Sequence, residues 1–469
     1  MAHSWLRSLG KMWYARKNRQ KKDRAFFKRT PPPYGSGGYL EWVGTTSDGR
    51  AWVAGWVAGD PSLTPYIEYG DTRRVSFEQA FRFTRQDLVD SEHPALTRTR
   101  GVDAAFMMAV SDVPEGARLR LVLSDATRTF FVSESTATPL PLHPVEAFKV
   151  MMKRFSPRGR LVERFTKVDG LIIEALRAKQ CEAWRSLSID VHTLGTQVQS
   201  PRVSIIVPLY RRMDFVEPQL LKFSRDPWIR AHAEIIYVVD DPGLVEPMLM
   251  EAAAFFDLYQ IPFKWVWGHA NRGFSGANNL GVSVARADRF LFLNSDVFPL
   301  ETGWLESMLD VLARRPNVGL VAPLLLHTDG TVQHAGMTFR WASDLGVWTN
   351  IHPNQGIDPK LCVSSGLVSH PTVTGACVLM RREELAAVGG WDTDYLIGDF
   401  EDSDLCLKLR AKGLECVCLN DVRLTHLERQ SFSSVGEDAF RHAVVILNAV
   451  RQQRRWGHVI DDLMKEPTA

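Results

Sequence analysis

The sequence predicts an α/β protein: a mainly parallel sheet domain, preceded by a β-rich, sandwich-like domain and a helical connector. Three observations predict it. From residue 203 onward, apolar runs of strand length alternate with segments of helical period, which implies right-handed β-α-β crossovers. One run, residues 290–296 (Phe-Leu-Phe-Leu-Asn-Ser-Asp), carries four large apolar residues in a row. That is the pattern of a strand buried on both faces of a parallel sheet. Before residue 140 the runs are short and separated by turn residues, as in a small sandwich.

The whole chain sets the bounds. Its 469 residues predict two to three domains, and 45% hydrophobic with 23% charged residues is ordinary for a soluble globular protein. No run approaches the length of a membrane span, and no apolar core with a cleavage site marks a signal peptide. Six cysteines (181, 362, 377, 406, 416 and 418) lack metal-site spacing, and Cys416 and Cys418 alternate along a strand as core residues do. Reduced thiols in a cytoplasmic protein are the expectation. Net charge is +2, yet residues 1–30 hold ten Lys/Arg against Asp23, so the remainder carries about −7. Aromatics interleave with these basic residues. Peripheral contact with an anionic membrane face is one reading, and a solvated basic tail is the other. Nucleic acid is not an expected partner.

In chain order, residues 1–37 read as basic tail and Pro/Gly linker, and 38–140 as the β-rich domain. Strands are predicted over residues 39–44 and 51–57, around an Asp-Gly turn at 48–49. More follow at 65–69, 104–110, 118–123 and 129–133. Trp42, Trp52 and Trp56 read as core. Residues 141–199 form the helical connector, with Val145, Phe148, Met152 and Phe155 at helical spacing. The α/β domain spans 200–432. Its strands are predicted at 203–210, 234–241, 263–267 and 290–293, with helices at 214–223, 245–258 and 275–285. Residues 433–469 close the chain with a helix, packed on this domain or on another subunit in an oligomer.

Ligands of open α/β sheets bind at the carboxyl ends of the strands. Asp240 or Asp241, Asn271 and Asp296 stand there. No Gly-x-Gly-x-x-Gly and no Walker sequence follows the first strand. A diphosphate is then handled by a metal and side chains rather than by a glycine cradle.

With residues 203–210, 238–241 (Val-Val-Asp-Asp), 271–279 (Asn-Arg-Gly-Phe-Ser-Gly-Ala-Asn-Asn) and 293–296 (Leu-Asn-Ser-Asp) in register, the chain resembles a family 2 glycosyltransferase of the GT-A fold. The bacterial rhamnosyltransferase-like members are the nearest in look. Segments 374–380, 389–391, 400–410 and 424–431 resemble the acceptor-side half of the same family. The resemblance covers residues 200–432. It implies a metal-assisted inverting transfer of a sugar from a nucleotide-diphosphate donor to a saccharide or glycolipid acceptor, in surface polysaccharide synthesis. It also implies residue roles. Asp240 contacts the base, with Asp241 as the near alternative, and Pro208, Tyr210, Asn271, Gly273, Asn279, Asn294 and Ser295 line the nucleotide-sugar site. Asp296 binds Mn²⁺ or Mg²⁺, with Asn294 in the place of a first acid. His426 completes the metal site or touches diphosphate. Asp402 is the catalytic base, and Glu401 and Trp391 shape the acceptor pocket. Two departures fall near the base pocket: Pro242-Gly243 and Arg211.

Other readings stand beside these. Asp402 also suits a helix N-cap, and His426 a surface strand end. A nucleotidyltransferase needs a Gly-rich basic loop, which Tyr210-Arg211-Arg212 is not. The non-enzyme alternative is a carbohydrate-binding scaffold with a decayed transferase domain. The insertion at 327–371 includes Asp-Gly-Thr-Val-Gln-His-Ala-Gly at 329–336, again like the rhamnosyltransferase-type relatives. The rest of it is readable only as a mobile lid.

Overall fold

The computed structural model describes residues 30–465, apart from 71–72, 98–100, 155–158 and 428–437. The basic segment up to residue 29 therefore lies outside the described residues. The chain forms two compact units, divided between Leu140 and Pro141.

The first unit holds nine strands: β1 (Gly37–Thr45), β2 (Ala51–Ala58), β3 (Thr64–Tyr69), β4 (Arg73–Ser76), β5 (Phe81–Phe83), β6 (Ala105–Val110), β7 (Arg118–Ser124), β8 (Thr129–Thr136) and β9 (Thr138–Pro139). They make a five-stranded sheet in the order β5-β6-β2-β1-β9 and a four-stranded one in the order β4-β3-β7-β8. The β1–β2 hairpin turns where expected, at Gly49 with φ of 85°. One core draws on both sheets, including Val43, Val53, Ile67, Phe106 and Leu121. Trp52 is fully buried and Trp42 packs edge-on against it.

The second unit opens with α1 (Pro144–Arg154) and, after a short helical stretch and one π-helical turn at Phe165–Asp169, α2 (Gly170–Arg185). A fully buried ion pair, Arg164 to Asp169 at 2.6 Å, accompanies that turn. The sheet follows: β10 (Asp190–Leu194), β11 (Val203–Leu209), α3 (Val216–Ser224), β12 (Ala233–Val239), α4 (Val245–Tyr259), β13 (Phe263–Trp267), α5 (Gly273–Val284), β14 (Arg289–Leu293), β15 (Val297–Pro299), α6 (Trp304–Arg314) and β16 (Val318–Leu326). Next come β17 (Val332–His334), the hairpin β18 (Thr338–Ala342) and β19 (Val347–Ile351), β20 (Leu367–His370), β21 (Cys377–Arg381), α7 (Glu401–Arg410), β22 (Glu415–His426) and α8 (Asp438–Leu463). Eleven strands share one sheet. Its main path runs β10-β13-β12-β11-β14-β21-β16-β22-β15, with β17 beside β16 and β20 beside β22.

Strands β13, β12, β11 and β14 are parallel, as the alternating pattern predicts. Beyond β14 the sheet turns mixed, with β21 antiparallel to both β14 and β16. Successive side chains of a strand face opposite ways. Ile205, Val207 and Leu291 thus join α3, α4 and α6 in one core layer, while Ile206, Phe290 and Phe292 join α5 and α7 in the other. Both faces are covered, which is why these strands read as unbroken apolar runs. The small residues of α5 allow close packing: a Cβ on Gly281 would lie 2.4 Å from the Ile206 side chain. Cys377, Cys406, Cys416 and Cys418 are buried free thiols in this core.

Candidate active site

The carboxyl ends of β11, β12 and β14 deliver the expected polar residues to one edge. Asp240 follows β12 and is 3% exposed. Its carboxylate accepts a hydrogen bond from the Arg272 backbone N–H at 2.7 Å, at the start of α5. Burial pushes this carboxyl up to about 8, against the pull of the backbone donors. Asp241 is used differently. It accepts from the Gly243 and Arg211 backbone N–H groups at 2.9 and 3.1 Å, and so fixes the two loops after β12 and β11. Tyr210 is 40% exposed beside it, and Pro208 is half-buried within β11, opposite Val238. Asn271 accepts from the Gly273 N–H at 3.2 Å. Gly273 has φ of 69° and only an ordinary contact, the Ile397 carbonyl at 3.8 Å, at its Cβ position, so backbone angle rather than crowding calls for glycine there.

At the end of β14, Asn294 and Ser295 are half-buried. Gln219 of α3, fully buried, donates to the Asn294 and Val297 carbonyls at 2.9 and 3.1 Å and sets the turn that carries Asp296. Asp296 Oδ1 lies 3.2 Å from His426 Nε2, because β15 pairs with β22 and Val297 stands opposite His426. The other ring nitrogen of His426 is 2.8–2.9 Å from the Gln333 amide on β17. An oxygen and a nitrogen ligand therefore face one space. Among the described residues no third His, Cys, Asp or Glu joins them in a metal-holding group. The pair fits a hard divalent ion that takes its remaining ligands from phosphate oxygens and water.

Asp402 is the second residue of α7, and its carboxylate accepts from the Gly375 N–H at 3.1 Å and the Ser403 N–H at 2.7 Å. It is not the N-cap. That position belongs to Phe400, which offers no side-chain bond. Burial, with the nearby Asp399 charge, moves Asp402 up to about 6. Glu401 is 8% exposed, its Oε2 has no hydrogen-bond partner among the described residues, and burial together with Asp402 raises its pKa well above the usual carboxylate range. Asp404 belongs to the interior instead: it is fully buried among Lys408, Arg455 and the Trp456 Nε1 donor.

Two of the expected residues are engaged within the domain. Trp391 is 2% exposed and packs edge-on against Phe274 and Phe292, so it presents no face to a sugar. Its large apolar ring is taken into the core and stands behind Gly375, where a Cβ would come within 3.1 Å of it and 3.3 Å of Asp402. Asn279 spends its amide on the Trp391 backbone, donating at 2.8 Å and accepting at 3.0 Å, rather than facing a donor.

Residues 374–376 tie the parts together. The Thr374 N–H donates to His334 Nε2 at 3.4 Å, the Gly375 N–H to Asp402, and the Ala376 carbonyl accepts from the Asn294 N–H at 2.8 Å. The end of β14 and the head of α7 are thus bonded to adjacent residues, Ala376 and Gly375, of one strut. Sequence reasoning missed Gln219, Gln333 and His334. The last two lie in the motif at 329–336, whose Gln-His pair was the available signal.

Residues 204–389 match the model of Glycosyl transferase family 2. Over these residues, most of the mixed-sheet domain, the chain is similar to that family. An O-antigen biosynthesis protein RfbC of Myxococcus xanthus is 32% identical over 237 residues, 50% of this chain and 18% of that protein. An N-acetylglucosaminyl-diphospho-decaprenol L-rhamnosyltransferase of Mycobacterium tuberculosis is 26% identical over 156 residues, 30% of this chain and 46% of that protein. The chain thus spans less than half the length of either relative. The structure of GalNAc-T7 with UDP, GalNAc and Mn²⁺ overlaps 55% of this chain and 50% of its own at 15% identity, with a TM-score of 0.43, and no role is taken from it.

Proposed function

We propose that the chain is a metal-assisted, inverting glycosyltransferase that moves a sugar from a nucleotide-diphosphate donor to a saccharide or glycolipid acceptor in bacterial surface polysaccharide synthesis. The observation that supports this reading is the strut at 374–376, whose adjacent residues bond Asp402 and Asn294, the start of the turn that carries Asp296. The names of the two bacterial relatives support the acceptor class.

In this reading Asp240 receives the ring N–H of the base, and Tyr210, Asn271, Gly273, Asn294 and Ser295 border the donor. Asp296 and His426 hold Mn²⁺ or Mg²⁺, which when bound supplies positive charge to the departing diphosphate. Asp402 takes the proton of the acceptor hydroxyl as its oxygen bonds to the anomeric carbon. The bond from that carbon to the phosphate oxygen breaks, and the nucleoside diphosphate leaves with the electron pair. A carboxyl near 6 is ionised at neutral pH and a stronger base than an ordinary aspartate. Glu401, buried, borders the acceptor side.

No described helix is long and apolar enough to cross a membrane. A cytoplasmic site at the inner membrane face, with residues 1–30 as the contact, belongs to this proposal. The test begins with the melting temperature in UDP, dTDP, GDP, CDP or ADP, each with Mn²⁺, Mg²⁺ or chelator. One nucleotide is expected to stabilise strongly with metal and only weakly with chelator. With its sugar derivatives as donors, Asp402→Asn is expected to keep the melting temperature and the nucleotide shift while turnover falls at least about a hundredfold. The wild-type rate should decline below about pH 6, as the base protonates. Full turnover in Asp402→Asn would remove the assignment.

A further inference from the structure

Just ahead of the base, the backbone takes an unusual path. Ile397, Asp399 and Phe400 have φ of 67°, 73° and 75°. Left-handed angles are uncommon outside glycine and are outliers for β-branched or bulky side chains. Three in four residues persist only where the surroundings over-determine them. The surroundings here are α8, well beyond the residues matched to the family.

Asn448 of α8 is 2% exposed, and its whole amide is spent on this loop. Its Oδ1 accepts from the Leu396 N–H at 3.0 Å. Its Nδ2 donates to the Leu396 and Gly398 carbonyls at 3.1 and 2.7 Å, with the Asp399 carbonyl at 3.4 Å. One turn on, buried Gln452 accepts from the Ser403 hydroxyl at 2.6 Å, and Ser403 is the residue whose N–H bonds Asp402. Ala449, between them, packs on Phe400. At the far side, Arg451 pairs with Asp392 and Asp394 at 3.0 and 2.7 Å. The loop also reaches the donor side, since the Ile397 carbonyl lies 3.8 Å from where a Gly273 Cβ would stand.

We propose that Asn448 is a positioning residue for the transfer: with Gln452, it clamps loop 396–400 in its left-handed path and thereby aims the Asp402 carboxylate. The proposal rests on the reading of Asp402 as base. A merely structural asparagine would affect stability alone, while a clamp affects turnover through one loop.

The test compares wild type, Asn448→Leu, which keeps the branched shape without the hydrogen bonds, and the milder Asn448→Ala. For both, the shift in melting temperature given by the best nucleoside diphosphate with Mn²⁺ is expected to stay as in wild type. Amide exchange by mass spectrometry should quicken about tenfold in peptides covering 396–404 and not in β11 or β12. Turnover should fall about tenfold to a hundredfold, as a slightly misplaced reacting group does, with the donor KM within about twofold. Adding Ile397→Gly to Asn448→Ala should recover part of the turnover, because glycine holds the left-handed angle unaided. Unchanged exchange at 396–404, or a turnover loss that only follows loss of folded protein, overturns the clamp. Asp402→Asn is the control: if it keeps full turnover, the base reading falls and the exchange data alone decide the clamp.

Discussion

Asp240 shows how burial at a strand end tunes a single residue. It is 3% exposed, with its carboxyl pushed from 3.8 to about 8, so little solvent screens the effect. A carboxyl whose pKa is raised by folding lends stability that is fully present below its unfolded value. That contribution declines as pH rises through the folded one. For Asp240 the decline falls between about pH 4 and pH 8. Asp240→Asn keeps the shape without the titration. Its melting temperature in the absence of nucleotide should therefore draw above that of wild type as pH rises from 5 to 8, by a few degrees for about 1 kcal/mol. A constant gap across that range would mean that Asp240 ionises without penalty. The same residue was visible in the sequence as an acid after an apolar run. Its depth was not, because burial depends on Arg272 folding over it from α5.

At the level of elements, the parallel strands were legible because each is covered on both faces and reads as an apolar run. The insertion at 327–371 was not. Its strands are short and partly polar: β17 folds back on β16 just before it, while β20 finds its partner, β22, much later in the chain. Yet β17 places Gln333, 6% exposed, against His426. A histidine ligates well when its second nitrogen is held by a partner that fixes ring and tautomer. Gln333→Leu should weaken the Mn²⁺-dependent part of nucleotide binding about tenfold to a hundredfold, while binding measured with chelator by calorimetry stays the same. Equal loss with and without metal would assign Gln333 to the fold instead. Trp391 marks the limit of motif reading in the same way. The motif found the residue, but only its neighbours Phe274 and Phe292 reveal that the ring points into the core.

For the whole molecule, the decisive feature is that each compact unit has its own core. Val43, Val53, Ile67 and Phe106 fill one, and the two layers about β11 and β14 fill the other. Both Asp240 and Asp402, with every group that holds them, lie after Pro141. The first unit supplies none of the proposed chemistry. At the start of the second unit, just before α1, Leu142 is 75% exposed. Exposed segments between cores are preferred sites of proteolytic nicking. Brief chymotrypsin treatment should therefore cut after Leu142 and leave a fragment beginning at His143. If the second core is self-sufficient, that fragment should melt cooperatively and keep the metal-dependent stabilisation by the same nucleoside diphosphate as the intact chain. Loss of the nucleotide response in a fragment that still melts cooperatively would show that the β-rich unit contributes to donor binding, and the division of labour drawn from the two cores would be wrong.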